Sequence, residues 1–242
     1  MDKYSKDYLK LKNKYKNLKI ENTKNADKQN DKKIDEQIDD PRSKDFDFID
    51  KILYINLEDR KDRRKEIEEE LKFIPKNKVM RFNAIKNEKG HIGCSMSHIA
   101  CLEIAIENNW NNVMIIEDDA SFNNYDEGIK ILKELLNKDW DVITLGNVGV
   151  DYDKDTYKLN SGQTTTGYIV NNHYFKVLRK NFKDGLKKLE ETLDYPSYCI
   201  DQYWKKLQKK DNWYIIVPSL LVQRSGISSI QNGYIDYTGY FN

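Results

Sequence analysis

The stretch NVMIIEDDA at residues 112–120 runs four consecutive apolar residues directly into three carboxylates. A short apolar run of this kind predicts a central strand whose end leaves the core at the acids. Because side chains alternate along a strand, Glu117 and Asp119 are expected to face one way and Asp118 the other. Three adjacent carboxylates repel one another unless a cation neutralises them, so a hard divalent ion is their natural partner. The alternative is a solvated acidic turn that caps the next element.

Strand-like and helix-like segments alternate on both sides of this stretch. The predicted strands cover 51–57, 78–85, 112–118, 140–146, 164–170 and 213–222, and the predicted helices cover 58–73, 95–109, 173–182 and 196–210. Such alternation favours an α/β fold with an open, mostly parallel sheet and helices on both faces. Ligands of these sheets bind at the carboxyl ends of the strands, which directs attention to the acids at 117–119.

Composition argues against several classes of function. The 242 residues carry 41 basic and 40 acidic side chains, so the net charge of +1 gives no overall attraction for nucleic acid. The longest apolar stretch, WYIIVPSLLV at 213–222, has roughly half the length of a membrane helix. The N-terminus lacks the apolar core of a signal peptide, and three scattered cysteines suit free thiols in a reducing compartment. We therefore expect a cytoplasmic protein without a membrane span.

The first 45 residues have a different character from the rest. Residues 1–20 are rich in lysine, and their apolar side chains recur at alternating spacings of four and three, at Tyr4, Tyr8, Leu11, Tyr15 and Leu18. This spacing predicts a helix with a short heptad seam, which either joins copies of the chain in a coiled coil or stays solvated without a partner. Residues 21–45 are polar and predict a linker, so the globular domain is expected to span 46–242.

Three blocks in order resemble glycosyltransferase family 25, which includes bacterial lipooligosaccharide and procollagen galactosyltransferases. The blocks are KILYINLEDRKDRR (51–64), GHIGCSMSHIACLEIAIENN (90–109) and VMIIEDDA (113–120), with weaker matches at TTTGYIVN, YCIDQYW and PSLLVQRSGISSI. The resemblance implies a single glycosyltransferase A-type domain, here preceded by the N-terminal helix. It also implies UDP-galactose or UDP-glucose as donor, Mn²⁺ (or else Mg²⁺) as cofactor, inversion to a β-linkage, and a glycan or glycoprotein acceptor. The N-terminal segment KYSKDYLKLKNKYKNLK resembles extensions found in proteins of large DNA viruses, which would place the protein in the host cytoplasm or the virion.

The resemblance assigns roles to the acids and to one of the helices. Asp119 is the expected metal ligand together with Glu117, while Glu117 and Asp118 also bind the donor. Ser97 and His98 fall in the family's Gly-Cys-x-x-Ser-His block and are expected to contact the donor, although His98 is alternatively a satisfied core histidine. Asp201 matches an acidic position in the second half of the family. Inverting transfer needs one general base near the acceptor hydroxyl, and a carboxylate serves that role; a helix cap is the alternative for Asp201.

Further candidates lie at strand ends and near the C-terminus. Asn56 and Arg60 follow the first strand, and a guanidinium there suits the phosphates of the donor. Arg63 and Arg64 interleave with acids and are expected to form surface ion pairs instead. Gln223 and Ser228 belong to a C-terminal loop expected to close over the donor, with Gln223 or a water replacing a histidine metal ligand.

The cysteines are expected to be structural. Cys94, His98 and Cys101 fall on one helical face, and Cys199 would nominally complete a zinc site. Residues seven apart are separated by about 10.5 Å along a helix, whereas both sulfurs must lie about 2.3 Å from a zinc ion. Cys94 and Cys101 are therefore expected to pack the helix on the sheet through small side chains.

Two other functions compete with sugar transfer. The first is a binding or assembly protein, oligomerised through its N-terminal helix and without turnover. The second is a metal-dependent phosphoesterase using the same acids, which the lack of an accompanying histidine cluster disfavours.

Deletion of residues 1–44 tests the role of the N-terminal segment. If the predicted seam joins copies of the chain, light scattering should show fewer chains per particle for the truncated protein, while turnover of UDP-sugar per chain stays within a few-fold. An equal number of chains per particle for the intact and truncated proteins would contradict the assembly role.

Overall fold

The structure is a computed structural model that describes residues 40–228, 230 and 233–241. The predicted helix at 1–20 and most of the predicted linker lie outside the described residues. Within them, no helix is both long enough and apolar enough to cross a membrane.

A six-stranded sheet forms the centre of the described unit. Its strands are β1 (Lys51–Asn56), β2 (Val79–Asn83), β3 (Asn112–Glu117), β5 (Val142–Tyr152), β6 (Leu159–Asn171) and β7 (Trp213–Ile215). They lie side by side in the order β2-β1-β3-β6-β5-β7. Strand β1 is parallel to β2 and β3, β7 is parallel to β5, and β6 is antiparallel to both of its neighbours. Five strands thus run in one direction and only β6 is reversed, which confirms the predicted open, mostly parallel sheet.

Helices cover both faces of this sheet. The main helices are α1 (Lys61–Glu70), α2 (Gly90–Asn108), α3 (Tyr125–Leu135) and α4 (Phe175–Thr192), followed by three short ones, α5 (Tyr195–Tyr198), α6 (Ile200–Tyr203) and α7 (Lys205–Gln208). Met114 and Ile116 of β3 share one buried cluster with residues of α1 and α3. On the opposite face, His98 of α2 meets Tyr168 of β6 and Phe182 of α4. The alternation of side chains along each strand supplies both faces with apolar groups.

The prediction of one strand at 213–222 is wrong. The stretch divides around Pro218, which has no N–H to donate to a ladder. Only Trp213–Ile215 joins the main sheet, whereas β8 (Leu221–Gln223) pairs with β4 (Ala120–Phe122) in a separate two-stranded sheet. This pairing sets Gln223 opposite Ala120 and so brings it next to the acids that precede Ala120. A second small sheet joins β9 (Gly226–Ser228) to β10 (Gly233–Ile235).

The globular unit begins earlier than the predicted boundary at residue 46. A 3₁₀ helix, Pro41–Phe46, starts at a capping aspartate, Asp40, and ends at a fully buried phenylalanine, Phe46. The guanidinium of Arg42 lies 4.4 Å from the centre of the Phe73 ring. Residues 40–45, predicted as linker, therefore belong to the unit Asp40–Asn242. A truncation that ends at residue 39 is the cleaner test of the N-terminal segment, because it keeps these contacts.

Gly146 of β5 tests how tightly β8 packs on the main sheet. A Cβ at this position would lie 1.8 Å from the backbone oxygen of Leu221, so Gly146→Ala forces the two backbones apart. We expect the free energy of unfolding to fall by about 1–3 kcal/mol, measured by urea denaturation. Gly226→Ala is the matched control, because nothing lies within 4 Å of its Cβ position. Equal stability of the two variants would contradict the packing described here.

Candidate active site

A cleft of about 970 Å³ lies at the carboxyl ends of β1, β2 and β3. This is the edge of the sheet at which the sequence predicted a ligand. Most of the predicted site residues line the cleft, namely Arg60, Ser97, His98, Glu117, Asp118, Asp119, Asp201, Gln223 and Ser228. Asn56 lies just behind the wall, where its Nδ2 donates to Asp118 Oδ2 over 2.8 Å and its Oδ1 accepts from Arg81 Nε.

Arg63 of α1 binds two of the three acids. Its Nη1 lies 3.1 Å from Asp118 Oδ1 and 2.8 Å from Asp119 Oδ2. The expected surface ion pair for Arg63 is therefore wrong, because the first turn of α1 points this side chain into the cleft. β3 ends at Glu117, and in the turn that follows, Asp118 and Asp119 both contact the guanidinium of Arg63. Arg64 does form the expected surface pair, with Glu68.

Glu117 is held by a separate set of groups. Its Oε1 accepts from Thr165 Oγ1 over 2.6 Å, and its Oε2 accepts from Gln223 Nε2 over 3.2 Å. His98 Nε2 lies 3.5 Å from Oε1. Although burial disfavours the ionised form of Glu117, interactions with His98 and Thr165 more than compensate and lower its pKa. Glu117 thus stays an anion, and its two oxygens contact different groups.

Asp119 is a buried carboxylate with an oxygen that has no hydrogen-bond partner in the described part of the chain. Burial, reinforced by the charge of Glu117, raises the pKa of Asp119 to about 7, even though Arg63 opposes the shift. Burial also raises the pKa of Asp118. Among the described residues, Asp119 Oδ1 is one of the few buried side-chain atoms without a hydrogen-bond partner. A buried, unpartnered carboxylate oxygen beside a second carboxylate fits a hard divalent ion such as Mn²⁺, with Asp119 and Glu117 as the residues that would hold it.

Asp201 lies near the start of α6 and lines the same cleft. Its Oδ2 accepts a hydrogen bond from the backbone N–H of Thr164 over 3.1 Å. Burial raises the pKa of Asp201, the Thr164 N–H opposes this, and the charge of Glu117 adds to it. Thr164 itself has φ of 79°, a left-handed conformation that is uncommon for threonine. A carboxyl group with a raised pKa in a cleft has the properties of a general base.

Ser97 and His98 sit deeper than the acids. Ser97 Oγ donates to the backbone oxygen of Gly93 and accepts from the N–H of Ile85, so it fastens the loop after β2 to α2. Gly93 permits this close approach, since a Cβ there would lie 2.5 Å from Ile85 O. His98 Nδ1 lies 2.8 Å from the hydroxyl of Tyr168. Both side chains are fully buried but reach the wall of the cleft.

The C-terminal segment closes one side of the cleft. Arg60 Nη1 and Arg63 Nη2 both donate to the backbone oxygen of Ile227, at 3.0 and 2.9 Å. Arg60 also pairs with Asp62 at the surface. Ser228 lines the cleft, and its Oγ accepts from the N–H of Ile230. The strand β9 thus lies over the two arginines.

Sequence reasoning misplaced Cys94 and missed Thr165. Cys101 is fully buried, as expected of a packing residue, but Cys94 is only partly buried and lines the cleft beside Glu117. Thr165 belongs to the reversed strand β6, and its contact with Glu117 depends on the pairing of β6 with β3. Cys94 and His98 are four residues apart and so lie on one helical face. This spacing could have identified Cys94 as a residue of the cleft.

Comparisons with solved structures give several distant likenesses. The protein A197 from STIV is 11% identical, with 76% of this chain and 93% of that chain covered and a TM-score of 0.40. A glycosyltransferase involved in the glycosylation of the major capsid of PBCV-1 is 12% identical, with 72% and 92% covered and a TM-score of 0.47. The glycosyltransferase GlyE of Streptococcus pneumoniae TIGR4 is 12% identical, with 69% and 38% covered and a TM-score of 0.38.

A search of curated proteins finds no relative of this chain. A family model does match: that of glycosyltransferase family 25 (LPS biosynthesis protein) covers residues 88–159. The matched segment contains α2, β3 and the three acids, so it supplies part of the wall of the cleft. Residues 88–159 are thus similar to glycosyltransferase family 25, which confirms the resemblance seen in the blocks 90–109 and 113–120 and supports a transferase.

Proposed function

We propose that the chain transfers galactose or glucose from a UDP-sugar to a hydroxyl group of a glycan or glycoprotein. The observation that supports this most directly is the arrangement of the cleft. It combines a buried carboxylate with an unpartnered oxygen, Asp119, and a second carboxyl group with a raised pKa, Asp201. The family match over residues 88–159 points to the same class of reaction.

The acids at the end of β3 form the donor half of the proposed site. Asp119 and Glu117 would hold the metal, and the bound ion would neutralise the diphosphate of the donor. Asp118 stays paired with Arg63 and Asn56, so it positions the guanidinium rather than binding the cation. Donor contacts are proposed for the following residues: Asn56, Arg60, Ser97, His98, Glu117, Asp118, Gln223 and Ser228.

Asp201 supplies the acceptor half. Its carboxylate takes the proton from the acceptor hydroxyl as that oxygen attacks C1 of the donor sugar. The bond between C1 and the phosphate oxygen breaks, and UDP leaves with the bonding electrons. Attack from the face opposite the departing UDP inverts C1 and gives a β-linkage. The N–H of Thr164 holds the carboxylate in place during this step.

Release of UDP tests the proposal. The full chain is incubated with UDP-galactose or UDP-glucose and Mn²⁺, with and without simple sugar acceptors, and UDP is measured by a coupled assay. Metal-dependent release with one of the two donors is expected. Mn²⁺-dependent binding of UDP without release would favour the alternative of a nucleotide-sugar-binding or assembly protein. Hydrolysis within the diphosphate, to UMP and sugar 1-phosphate, would instead favour the phosphoesterase.

A further inference from the structure

A second group of potential ligands lies in the cleft beside Glu117, and it differs in chemistry from the acids. Cys94 and His98 of α2 and Glu117 of β3 bring a sulfur, an imidazole nitrogen and a carboxylate oxygen within 4.8 Å of one another. We propose that these three residues bind Zn²⁺ or a similar soft divalent cation, separately from the ion held at Asp119. This inference does not depend on the proposed transfer reaction.

The distances suit a common centre. Cys94 Sγ lies 3.9 Å from Glu117 Oε1, and His98 Nε2 lies 3.5 Å from the same oxygen. Ligands placed 2.0–2.3 Å from a tetrahedral zinc ion are about 3.3–3.8 Å apart. The two distances that involve Glu117 Oε1 therefore lie within a few tenths of an ångström of zinc geometry, and all three atoms lie within 4.8 Å of one another. Residues 94 and 98 are one helical turn apart, so α2 presents both on one face.

His98 is the residue that points most clearly to a ligand. Its side chain is 1% exposed, and its Nε2 has no hydrogen-bond partner among the described residues. The other ring nitrogen, Nδ1, lies 2.8 Å from the Tyr168 hydroxyl. When Nδ1 donates to that hydroxyl, Nε2 keeps its lone pair and directs it toward Cys94 and Glu117. Histidines that bind metals are oriented in this way by a partner on the second nitrogen.

Glu117 is able to serve both sites because its two oxygens face different groups. Oε1 contacts Cys94, His98 and Thr165, whereas Oε2 contacts Gln223. A thiolate and an imidazole select zinc or cobalt, and carboxylates alone suit manganese or magnesium. The Cys94 thiol gives its proton to solvent as the metal–sulfur bond forms. All three residues line the cleft, so a fourth position remains for water or a ligand oxygen.

Cobalt is the probe that reports sulfur ligation. The full chain is stripped with a chelator and titrated with Co²⁺, while the near-ultraviolet band from thiolate to cobalt charge transfer is recorded. We expect a band that saturates at one ion per chain and that Zn²⁺ abolishes, with one zinc per chain by elemental analysis. Excess Mn²⁺ should leave the band unchanged, because it binds the oxygen ligands instead.

Variants assign the band to this cluster. Cys94→Ser should remove it and weaken zinc binding at least tenfold. Cys199→Ser is the matched control, since Cys199 also lines the cleft but lies outside the cluster, and it should keep both. His98→Gln, with folding checked by circular dichroism, should shift the visible cobalt spectrum away from the wild-type form. Absence of the band in the wild-type protein, or its survival in Cys94→Ser, would overturn the proposal.

Discussion

Asp119→Asn is expected to lower the rate of sugar transfer by roughly a thousandfold. The variant keeps the shape of the side chain but removes the charge that would hold the metal at the donor diphosphate. A loss of about 4 kcal/mol of charge stabilisation in the transition state corresponds to this factor. The measurement is kcat for UDP release at saturating Mn²⁺, together with Mn²⁺-dependent binding of UDP by calorimetry, which should weaken in parallel.

Glu103→Gln is the control for Asp119→Asn, because Glu103 is a buried carboxylate that pairs with Lys183 outside the cleft. It should leave turnover unchanged.

The stability of Asp119→Asn shows whether its loss of activity comes from catalysis or from misfolding. The folded-state pKa of Asp119, about 7, lies above its ordinary value of 3.8, so its ionisation destabilises the fold as pH rises through this window. At about pH 8 without metal, the asparagine variant should therefore unfold no earlier than the wild-type protein. Normal turnover in Asp119→Asn would move the metal site elsewhere.

Asp201→Asn is expected to reduce kcat by about 10²–10⁴-fold while UDP binding stays close to normal. Asparagine retains an oxygen that accepts the hydrogen bond from Thr164 N–H, so the backbone there keeps its conformation. The substitution removes only the ability to take a proton. Because burial raises the pKa of Asp201, wild-type activity should decline on acidification at a pH above the ordinary carboxyl value of 3.8.

The acidic limb of the pH profile separates a base from a positioning residue. It should disappear in Asp201→Asn, since the group that titrates is gone. Asp194→Asn is the control: Asp194 caps α5 by accepting from the N–H of Ser197, and asparagine caps equally well. Activity of Asp201→Asn equal to that of Asp194→Asn would show that Asp201 only supports the backbone at Thr164.

The strands of the sheet could be predicted where a short stretch of sequence was sufficient to identify them. The segment 51–57 is observed as Lys51–Asn56 and the segment 112–118 as Asn112–Glu117. In both, a short run of apolar residues forms a buried strand. The segment 213–222 failed because hydrophobicity does not say which sheet a strand joins. Two short strands on either side of Pro218 look like one long strand until their partners are known.

The candidate site shows the same division. The acids at 117–119, Asp201 and the block containing Ser97 and His98 were found from the sequence and the resemblance it carries. The partners of these residues were not found. Arg63 looked like a surface residue because its neighbours in sequence are charged, but its actual neighbours are Asp118 and Asp119. A helical wheel shows on which face of a helix a residue lies, but it does not show what that face packs against.

The sequence by itself determined the fold class, the edge of the sheet at which the cleft lies and the carboxylates placed there. These features depend on side-chain periodicity and on the order of elements, and both are properties of the chain alone. Only the tertiary structure decided how the charges pair. Asp118 and Asp119 pair with Arg63, Cys94 meets His98 and Glu117, and Ile227 accepts from both arginines. The Cys94–Glu117 and Arg60–Ile227 contacts join residues that are 23 and 167 positions apart, where local pattern carries no information about distance.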